Sequence, residues 1–216
     1  MSLKKAYILI LIILLIDQVS KFYIKTHFQL HESVEILNWF KIYFVENDGM
    51  AWGTTLSDII PFLSERSAKL FLTSFRIIAI FGIGYWLLDS VNKNRSKTLI
   101  LALIFIFSGA LGNIVDSVFY GVCFNDSFGQ VATFMPKDGG YDSLLYGNVV
   151  DMLSFPIWQG NLPDWLPYFR GRNFIFFEPI FNVADVAIAT GFCILLFFNK
   201  KAFSKKKNEQ RHTPYY

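Results

Sequence analysis

The chain has 216 residues, 53% of them hydrophobic, 18% aromatic and only 17% charged, with a mean hydropathy of +0.38. Ordinary soluble domains carry about 25% charged residues, so the composition points away from a soluble globular protein and toward a membrane protein. The net charge of +3 says little about partners by itself; where the charges fall says more.

Four segments approach or exceed the roughly 20 apolar residues that a bilayer crossing needs: 6–24, 68–88, 98–118 and 176–198. Lys4 and Lys5 before the first give it the look of a secretory signal. It ends in DQVSKFYI, which offers no small-x-small cleavage site, so it reads as a retained helix. After it, WFKIYFVEN (39–47) has the aromatic and β-branched content of a strand. The third segment contains SGALG (108–112), whose small residues let another backbone come close. The stretch that follows is rich in Gly, Pro and aromatic residues, and its Trp158, Trp165, Tyr168 and Phe169 suit the headgroup level.

Basic residues collect at the N-terminus, in the 89–97 loop (Lys93, Arg95, Lys97) and in the tail after 199 (Lys200, Lys201, Lys205, Lys206, Lys207, Arg211). The longer loops 25–67 and 119–175 carry fewer. Both termini are therefore predicted to face the cytoplasm and both long loops to face outward, with the basic tail as a topology anchor. The expected fold is an all-α membrane protein: four transmembrane helices, a small β-rich outer platform, an elaborated second outer loop and a basic cytoplasmic tail (199–216), in a single domain over 1–216. Cys123 and Cys193 form no CxxC and no cluster with histidine, which excludes metal-ligand spacing; they read as two small apolar side chains.

Ionisable groups inside spanning segments are costly and mark function by default. Here they are Asp17, Lys21, Arg76, Asp116, Glu178 and Asp185. With the predicted topology all fall in the outer half of the membrane; Arg76 and Asp185 lie roughly 12–14 Å below the outer ends of their segments. Polar groups converging at one depth can satisfy one another and line a wet pocket; a polar network that merely ties four helices together is the plainer alternative. Asp17 and Lys21 share a helix face at i,i+4. The pattern Asn-x-x-Asp appears three times, as Asn113/Asp116, Asn148/Asp151 and Asn182/Asp185. An amide beside a carboxylate can hold its rotamer or donate to a developing oxyanion.

His27 and His31 sit near Lys25 at the outer surface and read as solvated, His212 lies in the basic tail, and no phosphate-binding Gly loop is present. Carboxylates, amides and one or two cations remain. Two carboxylates sharing a proton support water-mediated peptide hydrolysis. The same groups support proton or cation translocation, and spacing alone does not separate the two. A carrier, however, should offer polar residues through the full bilayer depth, and the inner halves here are apolar.

At this point five ordered motifs carry a resemblance. DQVSK (17–21), NDGMAWG (47–53), GALGNIVD (109–116), VVDM (149–152) and FNVAD (181–185) resemble the motifs of lipoprotein signal peptidases, the type II signal peptidases of bacteria, which are aspartic peptidases with four transmembrane helices. The resemblance implies that Asp151 and Asp185 are the catalytic dyad. It implies site-shaping or substrate-binding roles for Asp17, Lys21, Asn47, Gly49, Trp52, Gly112, Asn113, Asp116 and Asn182. Asn148 gains no role from it. The implied activity is removal of the signal peptide from diacylglyceryl-modified prolipoproteins by cleavage just before the lipidated Cys. It implies no metal and no organic cofactor. The expected setting is the bacterial inner membrane, with membrane lipid and prolipoprotein as partners, no nucleic acid, and a monomeric enzyme whose site lies near the outer face.

Two departures stand out. The family usually continues G-N-x-x-D with Arg, where this chain has Ser117; Arg76, a cation at similar depth, is the expected substitute. The links from GNIVD to VVDM and from there to FNVAD are also longer than is common, which predicts an extra outer elaboration over the pocket mouth, with Trp158 and Trp165 at the interface.

Overall fold

The structure is a computed structural model that describes residues 1–47, 63–156, 158–161, 173–176 and 179–204. Its helices are α1 (Leu3–His27), α2 (Glu65–Asn92), α3 (Lys97–Cys123), α4 (Val183–Phe197) and a short α5 (Asn199–Ala202). Its strands are β1 (Ser33–Leu37), β2 (Phe40–Asn47), β3 (Val149–Ser154), β4 (Trp158–Asn161), β5 (Asn173–Phe176) and β6 (Ile180–Phe181).

Helices α1, α2 and α3 are each long and apolar enough to cross a membrane. In the apolar windows of α1 and α2 only 17% of residues are buried, against 56% in α3. Side chains such as Ile8, Leu11, Leu15, Val19, Phe71, Ile78 and Phe81 point outward, a surface that suits lipid rather than water. The bundle is organised around α3, which packs on α1, α2 and α4. Small residues make the α3–α4 contact: a Cβ on Gly109 would lie 2.2 Å from the carbonyl oxygen of Ala184. SGALG thus serves close helix approach, as its composition predicts.

The fourth apolar segment differs from expectation. Helix α4 begins at Val183, not near 176, and has 15 residues, too few for the span length that the other three reach. The reason is local. Asn182 is the N-cap, its side chain accepting from the Asp185 N–H while the Asp185 carboxylate accepts from the Asn182 N–H. This reciprocal capping box fixes a helix start, and the residues just before it form β6. Asp185 therefore lies in the first turn, not well inside the helix. Helix α2 starts earlier than predicted, with Ser64 as its N-cap.

Beyond the helices lies a four-stranded antiparallel sheet of order β1-β2-β3-β6, with β4 and β5 forming a separate antiparallel pair. The strand predicted at 39–47 is β2. Its pairing with β3 sets Val45 opposite Asp151 and Asn47 opposite Val149. Toward the C-terminal end of α3 the helix widens into a π-helical turn, Asp116–Tyr120, a form that recurs at functional sites. The loop between α3 and β3 returns onto this turn so closely that a Cβ on Gly147 would lie 2.1 Å from the Asp116 carbonyl oxygen. Both cysteines are free.

Candidate active site

Four elements bring the polar residues together: the C-terminal half of α1, the π-turn of α3, strand β3 and the cap of α4. On α1, the i,i+4 pair forms as the spacing predicts, with Lys21 Nζ 3.0 Å from Asp17 Oδ2. The same ammonium reaches Asp116 Oδ2 at 2.8 Å and donates to Asn113 Oδ1 at 2.8 Å. Lys21, Asp17 and Asp116 are all fully buried. Each carboxylate also anchors backbone: Asp17 Oδ1 accepts from the Ala184 N–H at 2.8 Å, and Asp116 Oδ2 from the Val150 N–H at 3.2 Å. Gln18 Nε2 donates to Asp116 Oδ1 at 2.9 Å and to the Gly112 carbonyl at 3.1 Å. The lysine and its two aspartates thus fasten α1, α3, β3 and α4 at one point. Gly112 is required there, because a Cβ would lie 2.4 Å from Asp17 Oδ2.

Beside this cluster lie the other two carboxylates. Asp151, on β3 and 4% exposed, accepts from Asn182 Nδ2 at 2.6 Å and from Asn47 Nδ2 at 3.1 Å. Asp185, half-buried, accepts from Asn113 Nδ2 at 2.8 Å and from the Asn182 N–H at 3.2 Å. Asn182 therefore touches both acids. Burial, and then the nearby Asp185 charge, push the Asp151 carboxyl up to about 7. Arg76, half-buried on α2, lies within electrostatic reach of Asp185 and Asp151.

The side-chain amides do not donate to the carboxylates that the sequence pairs them with. Asn113 holds Asp185, not Asp116; Asn182 holds Asp151 with its side chain and Asp185 with its backbone. Asn148 holds neither acid: its side chain bonds Glu46 and Lys69. Ser117, where the family pattern has Arg, is buried against the second loop. Its Oγ donates to the Asn113 carbonyl at 3.0 Å and its carbonyl accepts from the Gly147 N–H at 2.9 Å. Of the residues named from sequence, Asp17, Lys21, Asn113, Asp116, Asp151, Asn182 and Asp185 converge, with Asn47 and Gly112 in contact with them. Gly49, Trp52, Trp165, Tyr168, Phe169 and Glu178 lie outside the described residues, as does the Trp158 side chain.

The fold is similar to that of two solved structures, each described as a bacterial membrane enzyme structure by the in meso method. The 2.3 Å structure matches with a TM-score of 0.60 and 22% identity over 96% of this chain and 94% of its own; the 1.9 Å structure matches with 0.57 and 22% over 92% and 94%. The class is thus a protein of membrane-length apolar helices that carry a small sheet. The family model described as Signal peptidase (SPase) II matches residues 9–199. The lipoprotein signal peptidase of Porphyromonas gingivalis is 44% identical over 87% of this chain and 79% of the relative; that of Amoebophilus asiaticus is 34% identical over 89% and 76%. The chain belongs to the signal peptidase II family.

Proposed function

We propose that the protein is an intramembrane aspartic endopeptidase that removes the signal peptide from diacylglyceryl-modified prolipoproteins by cleaving just before the lipidated Cys. The observation that carries this reading is the pair Asp151 and Asp185, both hydrogen-bonded to Asn182. In this scheme Asp151 enters protonated and Asp185 takes a proton from a water held between them. The water oxygen attacks the scissile carbonyl carbon as Asp151 protonates the carbonyl oxygen. The resulting gem-diol collapses when a proton passes from Asp185 to the nitrogen of the Cys. The C–N bond breaks, the signal peptide leaves with a new carboxyl group, and Asp151 recovers its proton from the collapsing hydroxyl. The donors on Asn47, Asn113 and Asn182 hold both acids in place, which makes positioning a large part of the rate. No metal or organic cofactor enters these steps.

Helices α1 to α4 all cross the membrane in this reading, both termini lie in the cytoplasm, and the site opens near the outer face. The single domain of residues 1–216 acts as a monomer, without a nucleic-acid partner. The lipid of the substrate stays among apolar helix faces.

The pH profile tests the proton assignment. Asp151 is protonated below about 7, and above that value its acid form falls about tenfold per pH unit. Cleavage of a lipidated prolipoprotein should show an alkaline limb near neutrality; a flat rate from roughly pH 6 to 9 contradicts the acid role of Asp151. Arg76 supplies the cation that Ser117 cannot. Arg76→Gln should lower turnover by about 100-fold, the low end of the loss of one charge stabiliser, with unchanged thermal unfolding. Unaltered activity in a folded variant removes Arg76 from the mechanism.

A further inference from the structure

A second polar cluster lies beside the carboxylate site. Lys25, at the outer end of α1, is fully buried. Its ammonium pairs with Glu46, donates to Ser127 Oγ at 3.0 Å, and stands 4.6 Å from the centre of the Tyr141 ring. Ser127 Oγ donates in turn to Glu46 Oε1 at 2.9 Å. The other oxygen, Glu46 Oε2, accepts from Asn148 Nδ2 at 3.1 Å. Asn148 Oδ1 accepts from Lys69 of α2, and the Asn148 N–H donates to the Tyr141 hydroxyl at 2.6 Å. One chain of polar contacts, Lys25–Glu46–Asn148–Lys69, therefore runs from α1 through the ends of β2 and β3 to α2. Ser127 and Tyr141 of the second outer loop close it.

The location gives the cluster a task. Glu46 immediately precedes Asn47, whose amide donates to Asp151. Asn148 immediately precedes β3, which carries Asp151. In the β2–β3 ladder Glu46 faces Val150 and Asn47 faces Val149, so a shift of one strand along the other changes the aim of the Asn47 amide. A buried lysine needs partners whatever its task. These partners, however, come from the strand that carries Asn47, the residue before the Asp151 strand, and the loop between α3 and β3. A polar network with its members satisfied fixes a unique local geometry.

We propose that Lys25, Glu46 and Asn148 are positioning residues that fix β2 against β3 and so hold the Asn47 amide on Asp151, with the second outer loop supplying the closing contacts. The proposal rests on the reading of Asp151 as a catalytic acid. It is tested with Asn148→Ala, which cuts the Glu46–Lys69 bridge and leaves the Lys25–Glu46 pair, and with Ser127→Ala, which loosens the same carboxylate from the loop side. Two quantities are read on the full-length protein: turnover of a lipidated prolipoprotein, and titration of the Asp151 carboxyl by difference infrared spectroscopy against Asp151→Asn.

In both variants kcat should fall about tenfold, the scale of a modest misplacement of a catalytic group, with KM unchanged. The Asp151 titration should move to higher pH, since the Asn47 hydrogen bond favours its ionised form. Asn47→Ala should give the same upward movement, and adding Asn148→Ala to it should change nothing further, the signature of two residues acting through one contact. Additive effects in the double variant, or an Asp151 titration that stays put, overturn the proposal. An inactive wild type in which Asn148→Ala still moves the Asp151 titration overturns the peptidase reading and leaves the positioning of Asp151 standing.

Discussion

Asp151→Asn and Asp185→Asn are each expected to abolish cleavage, with losses on the order of 10³-fold or more, because each removes a group that must exchange a proton in every turnover. The swap keeps the side-chain shape and the neighbouring amides, so the variants should fold. For Asp151 the direction of any stability change is also fixed. Its carboxyl is raised to about 7 in the folded protein against about 4 in an unfolded chain. Between those values the native state binds more protons than the unfolded state. That group's contribution to stability therefore falls as pH rises from about 4 to about 7 and stays low above it. Asp151→Asn removes this penalty and should unfold at the same or a higher temperature than wild type at neutral pH. A residue kept for structure would behave in the opposite way, losing stability together with activity. Thermal unfolding in detergent, run beside the cleavage assay, separates the two.

Lys21→Met is expected to act on folding first. The ammonium is fully buried, and it is an ion-pair partner of Asp17 at 3.0 Å and of Asp116 at 2.8 Å. Removing the cation leaves two buried carboxylates facing each other, a change that costs about 3–5 kcal/mol when one partner of a buried pair is lost. The damage should spread to the dyad, because Lys21 also donates to Asn113, and the Asn113 amide holds Asp185. Loss of stability and loss of activity should appear together, the reverse of the pattern for Asp151→Asn. Lys21→Met combined with Asp17→Asn should recover part of the stability, since one of the stranded charges is then gone. A Lys21→Met protein with wild-type unfolding would show that the cluster is not the fastening point of the four elements.

Much of this architecture is legible in the chain because lipid constrains sequence strongly: backbone polar groups must be satisfied internally, so spanning helices appear as long apolar runs. Segments 6–24, 68–88 and 98–118 lie within α1, α2 and α3. The start of α4 is misread from composition, since the Phe and Ile residues of FFEPIFN run on into the apolar helix after it and periodicity cannot separate strand from helix there. The correcting signal was local: Asn182 followed three residues later by Asp185 is a helix-start pattern. The crossed pairing of amides and acids depends on tertiary placement that no linear spacing reports. Lys25 and Glu46 escaped notice for a related reason. Lys25 near the end of α1, among His27 and His31, has the composition of a solvated rim, yet it stands one turn beyond the buried Lys21 on the same face. A second lysine at i+4 on a face already committed to buried carboxylates was the available clue.

The most direct measurement is mass spectrometry of a diacylglyceryl-modified prolipoprotein incubated with the purified protein, alongside the same precursor without the lipid. A mature product that begins at the lipidated Cys, formed from the modified precursor and not from the bare one, is the expected result. Intact modified precursor contradicts the account and returns the buried carboxylates to the carrier reading; cleavage at any other bond contradicts the assigned scissile bond.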